Sequence, residues 1–194
     1  LLATAAVTKG NGVLFPGDEV RDGTPILSSG RPLTPSQIGL LAATGLSHIE
    51  VFQSPRIGII TTGDEILPTA EDERTRAARE APPADEGRGM PPSNAITLCA
   101  WCARFGFPSR RWVTNDDAHQ VGAALKQALS DCHVLITIGG TGMGSRDCVH
   151  EALEDLGWEL QFDGVRLRPG RTSGFGFLRG RPMFLLPGTP TASE

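Results

Sequence analysis

"HVLITIGGTGMGSRDCVHEALEDLG", residues 133–157, runs from an apolar stretch through a turn with four glycines into a helical period opened by Asp147. Val134 to Ile138 lack the alternation of a half-solvated strand, which predicts a strand buried on both faces, as in parallel sheets covered by helices. The glycines allow a tight turn and close approach of a ligand, and Asp147 can cap the helix that follows.

The same order recurs on either side. "RIGII" (56–60) is a continuous apolar strand, and "SNAITLCAWCARFG" (93–106) is a helix capped by Ser93 or Asn94 and ended by Gly106. "SRRWVT" (109–114) is a strand and "DDAHQVGAALKQALS" (116–130) an Asp-capped helix; after Gly157, "WELQFDGVRLRPG", "SGFGFLRG" and "RPMFLLPGTP" add extended edge segments. Strands alternating with helices predict a three-layer αβα sandwich with a mostly parallel central sheet over residues 54–194. Residues 1–53 are a lead-in segment, with turns followed by a helix that Thr34 caps, Pro35 opens, Ile38, Leu40 and Leu41 face, and Gly45 stops. The stretch 67–92, "LPTAEDERTRAAREAPPADEGRGMPP", is a charged, proline-bearing insertion with little to bury; "AEDERTRAARE" can form a solvated helix, and its place after a candidate site leaves a lid role open.

With 194 residues, 39% hydrophobic composition and a net charge of −4, the chain can bury a sizeable core. It offers no overall field for nucleic acid or an anionic membrane, so an anion must be held by local groups. No apolar run approaches a membrane span, and the start is too short for a signal peptide, which predicts a cytoplasmic protein. Cys99, Cys102, Cys132 and Cys148 are expected to be thiols, with the Cys99/Cys102 pair packing in a helix instead of holding zinc. Trp101, Trp112 and Trp158 are expected in the core.

Ligands of open α/β sheets settle where loops leave the carboxyl ends of strands. Four loops qualify: "TTGDE" (61–65), "GGTGMGSRD" (139–147), "RPGRT" (168–172) and "PGTPT" (187–191). Their glycines let main-chain N–H groups meet a phosphate, Asp64, Glu65 and Asp147 suit a magnesium ion, and Arg168 and Arg171 suit bidentate phosphate contacts. The glycine loop lacks the lysine of a P-loop and the spacing of the dinucleotide fingerprint. His48, His119, His133 and His150 are scattered, and no serine sits in a nucleophile elbow, so neither acid–base nor covalent catalysis is expected.

"PRIGIITTGDEI", "PSNAITLCAWCARFG", "HVLITIGGTGMGSRD", "VRLRPGRTSGFG" and "MFLLPGTPTAS", in that order, resemble the central domain of the molybdopterin molybdotransferase family (MoeA, gephyrin E domain), and residues 17–45 resemble the segment preceding it. The resemblance implies molybdenum cofactor biosynthesis: a transferase that inserts molybdate into adenylyl-molybdopterin with release of AMP, assisted by Mg2+. By motif, Asp64 and Asp147 become the catalytic and metal-binding carboxylates. Substrate would be bound by Thr62, Gly63, Glu65, Ser93, Asn94, Gly139, Gly140, Thr141, Gly142, Gly144, Ser145, Arg168, Pro169, Gly170, Arg171, Pro187, Gly188 and Thr189. The implied partners are a molybdopterin-type small molecule, other molybdenum cofactor enzymes or a target molybdoenzyme, and in some settings a second copy of the chain as a homodimer.

Several positions depart from the family pattern. Pro92 stands in place of an aspartate, Ser145 in place of an acid, Thr189 in place of an asparagine, and Arg168 and Arg171 in place of two lysines. The glycine loop is closer to the related adenylyltransferases (MogA type), so molybdopterin adenylylation and a non-catalytic carrier of molybdopterin or finished cofactor both stay open. The full family protein is about twice as long, and the stop at "TASE" after the last motif suggests an excised domain.

Overall fold

The computed structural model describes residues 6, 8–73, 89–140 and 148–193. The chain divides into two compact units, Leu1–Phe52 and Gln53–Glu194.

The first unit is turn-rich and carries one helix, α1 (Pro35–Ala43). Thr34 and Gln37 form a reciprocal capping box, Pro35 opens the helix, and Gly45, at φ 84°, lets the chain leave it. The expected apolar face is not buried within this unit: Ile38 is 56% exposed, and no residue of α1 is buried.

The second unit is built on a six-stranded sheet in the order β2-β1-β3-β6-β5-β4. Its strands are β1 (Ile57–Thr62), β2 (Ser109–Thr114), β3 (Val134–Ile138), β4 (Trp158–Asp163), β5 (Gly174–Leu178) and β6 (Arg181–Leu186). β2, β1, β3 and β6 run parallel, with Ile57 level with Ser109 and Val134; β5 and β4 complete the edge antiparallel.

The unalternated apolar strands divide between two faces because successive side chains point opposite ways. Ile60 and Leu135 join the larger core beneath α3 (Ala118–Asp131) and α4 (Cys148–Leu156). Ile57, Ile59 and Ile138 join the smaller core beneath α2 (Ser93–Arg104), together with Ala95, Leu98 and both helix cysteines. A short α5 (Pro190–Ser193) follows β6. The arrangement is the expected three-layer sandwich.

Details differ from expectation. Neither Ser93 nor Asn94 caps α2; Pro92 stands at that position with no side-chain hydrogen bond, so α2 begins without a capping acceptor. Trp112 is buried and Trp158 packs against the larger core, but Trp101 is 45% exposed and stacks on Phe105. The insertion also buries more than its composition suggests. Asp72 is buried against Arg111, and Glu73 bridges to Trp112 at the outer edge of β2. Residues 74–88, the rest of the expected helix and lid, lie outside the described residues.

Candidate functional site

β1 has β2 on one side and β3 on the other, and the helices after β1 and β2 cover opposite faces. A crevice opens outside the carboxyl end of a strand where the connections diverge in this way. Here it is a cleft of about 570 Å³, inside the range of small-molecule sites.

Six segments converge on it, one of them the turn between β2 and α3 that carries Asp116. β1 contributes Thr61 and Thr62, with Glu65 and Ile66 just beyond; the segment entering α2 contributes Met90 to Asn94; β3 contributes Ile138, Gly139 and Gly140; the β4–β5 loop contributes Pro169 to Thr172; and the end of β6 contributes Pro187 to Pro190. Of the residues expected at the site, Gly63, Asp64 and Arg168 do not line this cleft. Thr141, Gly142, Gly144, Ser145 and Asp147 lie outside the described residues.

The glycines Gly139 and Gly140 allow close packing against β1. At Gly139, with φ 85°, an added Cβ would lie 2.6 Å from the Thr62 carbonyl oxygen; at Gly140 it would lie 2.6 Å from Val149 and 2.7 Å from the Thr62 methyl group. Either side chain would force the glycine turn away from β1. The amides expected to meet a phosphate are partly committed elsewhere, since Gly63 N–H donates to the Thr114 carbonyl and Gly139 N–H to the Leu186 carbonyl, extending the sheet.

Asn94 donates its side-chain amide to the Gly188 carbonyl at 2.8 Å, which ties the first turn of α2 to the loop after β6. This tie holds two walls of the cleft together. Ser93, exposed beside it, also lines the cleft.

An acid absent from the expected set is built into the floor. Asp116 lines the cleft, and its carboxylate accepts the Thr62 hydroxyl at 2.8 Å; its own N–H donates to the Asp64 carboxylate at 3.1 Å. The Cys148 thiol lies 3.9 Å from the same Asp116 oxygen. The adjacent Asp117 caps α3 by accepting from Gln120 N–H at 2.8 Å. In "NDD", one acid therefore suffices for the helix, and the second turns to the site. That surplus acid directly after a buried strand was the available sequence signal.

The acids here are hard oxygen donors of the kind that hold Mg2+ through one or two carboxylates with its water largely retained. Asp64 and Asp116, joined through the main-chain N–H, fit that role. Among the described residues no group of three or more acid, histidine or cysteine side chains forms a fuller ligand set. Among the described residues that line the cleft, Arg171 is the cation.

None of the four cysteines forms a disulfide. Burial raises the Cys99, Cys102 and Cys132 thiols above their ordinary range, against smaller opposing pulls, so they stay protonated near neutrality. No helix among the described residues is long and apolar enough to cross a membrane.

Residues 58–194 match the sequence profile described as a probable molybdopterin binding domain. The chain is 33% identical over 91% of its length to a putative molybdopterin biosynthesis protein of Methanocaldococcus jannaschii, and 30% identical over 96% to molybdopterin molybdenumtransferase 2 of Mycobacterium tuberculosis. It spans 43% and 44% of those proteins, under half of each. The crystal structure of a molybdopterin biosynthesis MoeA protein from Pyrococcus horikoshii aligns with 90% of the chain and 40% of its own length, at TM-score 0.71 and 26% identity. A molybdopterin biosynthesis protein from Mycobacterium abscessus shares the fold at TM-score 0.50 and 17% identity, covering 72% of this chain and 84% of its own. A sheet that opens a glycine-walled cleft at its β1 switch point, matched by this profile over most of its length, makes the chain a member of the molybdopterin binding domain family, homologous to the MoeA proteins of molybdenum cofactor biosynthesis.

Proposed function

We propose that the cleft binds adenylyl-molybdopterin and supports insertion of molybdate into its dithiolene with release of AMP. The observation that carries this reading is an oxygen-donor acid at the cleft, Asp116, whose N–H donates to the Asp64 carboxylate just outside it, together with Arg171 in another segment of the lining. A phosphoanhydride needs both: a guanidinium can grip phosphoryl oxygens in two places, while carboxylates can hold a divalent ion beside them. Mg2+, held by Asp64, Asp116 and the sequence-matched Asp147, would supply charge neutralisation on the phosphoryl oxygens.

The residues of the chain bind and orient. Asn94 holds the α2 and β6 walls in register, Thr62 fixes the Asp116 carboxylate, and the glycine turn brings main chain against the ligand without a side chain between. Buried, protonated thiols suit a reducing compartment such as the cytoplasm.

Incubation with adenylyl-molybdopterin, molybdate and Mg2+, followed by chromatography of released AMP, tests the reading. AMP release from the wild type and its loss in Asp64→Asn and Asp147→Asn would support it. A wild type that retains the ligand and releases no AMP would sink it and leave a carrier. That second reading is favoured by one observation: Pro92 brings no acid to the start of α2, where the resembling family carries an aspartate.

A further inference from the structure

Among the described residues the two buried charged side chains are Asp72 and Arg111, and neither lines the cleft. They meet at the outer edge of β2, with Arg111 Nε 2.9 Å from Asp72 Oδ1. The other carboxylate oxygen, Oδ2, accepts the Thr69 N–H at 2.6 Å and the Thr69 hydroxyl at 2.7 Å. The same guanidinium donates to the Thr69 hydroxyl oxygen at 3.2 Å and to Glu71 at 3.3 Å, and Glu73 N–H donates to the Arg111 carbonyl at 2.7 Å. These contacts knot residues 69–73 onto an edge strand that would otherwise offer bare hydrogen-bonding groups.

The knot lies one residue from the mouth of the cleft. Leu67 N–H donates to the Met90 carbonyl and Met90 N–H to the Glu65 carbonyl, each at 2.8 Å, and Ile66 bridges to Met90. This zip forms a lip, in which Ile66 and Met90 line the cleft beside Pro91 and Pro92. Between Leu67, held in the lip, and Thr69, held in the knot, stands only Pro68. Its ring fixes φ at about −65°, so the link is short and stiff. Movement of the lip therefore pulls on the knot.

We propose that Asp72 and Arg111 are positioning residues for the cleft: their buried pair, acting through Thr69 and Pro68, holds the Ile66–Met90 lip where it packs on a planar heteroaromatic ring of the ligand. This rests on reading the cleft as the seat of adenylyl-molybdopterin, which carries two such rings, an adenine and a pterin. A ring suits the lip better than a phosphate, since its side chains are apolar and a thioether packs well against an aromatic ring. Apolar residues in place of a buried ion pair can match it in stability; what the pair adds here is one fixed geometry.

Isothermal titration of the 194-residue chain with AMP, with pterin-6-carboxylate and with inorganic phosphate, alongside amide-resolved hydrogen exchange, tests this. Two variants loosen the lip by different routes: Asp72→Leu combined with Arg111→Met replaces the pair, and Pro68→Gly frees the link while leaving the pair in place. In both, exchange at the Leu67 and Met90 amides should rise at least about tenfold, while Ile59 in β1 and Ile136 in β3 hold their rates. Affinity for one of the two ring probes should fall about tenfold, which names the ring the lip takes, with phosphate affinity unchanged. Asp131→Asn, in the partly exposed pairs with Arg56 and Arg110, should move none of these readings. Where the double variant fails to fold, Pro68→Gly alone decides. Lip exchange equal to wild type in Pro68→Gly overturns the proposal, as does unchanged affinity for both rings, an equal loss for phosphate, or a wild type that binds neither ring. AMP release from adenylyl-molybdopterin bears only on the transferase reading: a loosened lip with weakened ring binding and no AMP release sinks that reading alone, and AMP release with an unmoved lip sinks the positioning role alone.

Discussion

The two rims of the parallel sheet use the same residue types to opposite ends. At the amino-terminal rim the charges are matched: Arg110 bridges Asp131 at 2.6 Å and Glu73 at 2.5 Å, Arg56 shares Asp131, and Arg56 N–H donates to the His133 ring at 2.9 Å. Along the edge strand Arg111 meets Asp72 at 2.9 Å with both side chains almost wholly buried. At the carboxyl rim, Asp64, Glu65 and Asp116 have no basic partner among the described residues, and Arg166, Arg168 and Arg171 have no acidic one. Charges neutralised within the protein stabilise or specify the fold; charges held apart around a cleft keep their interaction energy for something else.

The sharpest break in that contrast is Arg111→Met, which leaves Asp72 buried and unpaired. A loss of about 3 kcal/mol in unfolding free energy is expected by chemical denaturation, and a second change, Asp72→Leu, should recover much of it. Should Arg111→Met unfold no more easily than wild type, the amino-terminal rim would not be the stabilising one.

At the opposite rim, under the proposed transferase function, Asp116→Asn should lower AMP release at least about 100-fold, equivalent to roughly 2.7 kcal/mol in the barrier, while shifting the melting temperature little. A large drop in stability with activity per folded molecule unchanged would make Asp116 a structural residue. Its neighbour offers the converse. Asp117→Ala removes the α3 cap and should cost about 1 kcal/mol of stability with ligand affinity unaltered.

A smaller effect is expected from Asp131→Asn, since this acid and both its arginines are partly exposed and solvent screens the pairs. The loss should stay below about 1 kcal/mol and shrink in high salt, as read from denaturation with and without added chloride.

The smallest effect is a pH slope. Burial raises the Cys132 thiol chiefly by desolvation, with Arg110, Arg56 and Arg181 pulling the other way. The folded chain thus holds the thiol proton above the pH at which the unfolded chain releases it. This contribution is fully present below the ordinary thiol range, about pH 8.5, and is lost as the pH rises through the raised folded value. Cys132→Ala should flatten the alkaline arm of the stability profile.

Strand–helix alternation alone predicted the sandwich, because an unalternated apolar strand has no stable place except between two helical layers. The glycine turns and the loops that border the cleft were legible for a similar local reason, as each needs only its own residues to leave a strand end without bulk. Three things were not legible. Gly63 and Gly139 spend their amides on partners 51 and 47 residues away in β2 and β6, Asp116 reaches Asp64 from the next strand over, and Asn94 closes on Gly188 from the far side of the chain. What the sequence determined by itself is the layer order and where chemistry can gather, since periodicity and turn composition are local properties. Tertiary structure decided which acid turns inward, which amides stay free and which arginines stay unpaired, because each of those outcomes depends on a partner that only folding brings within hydrogen-bond reach.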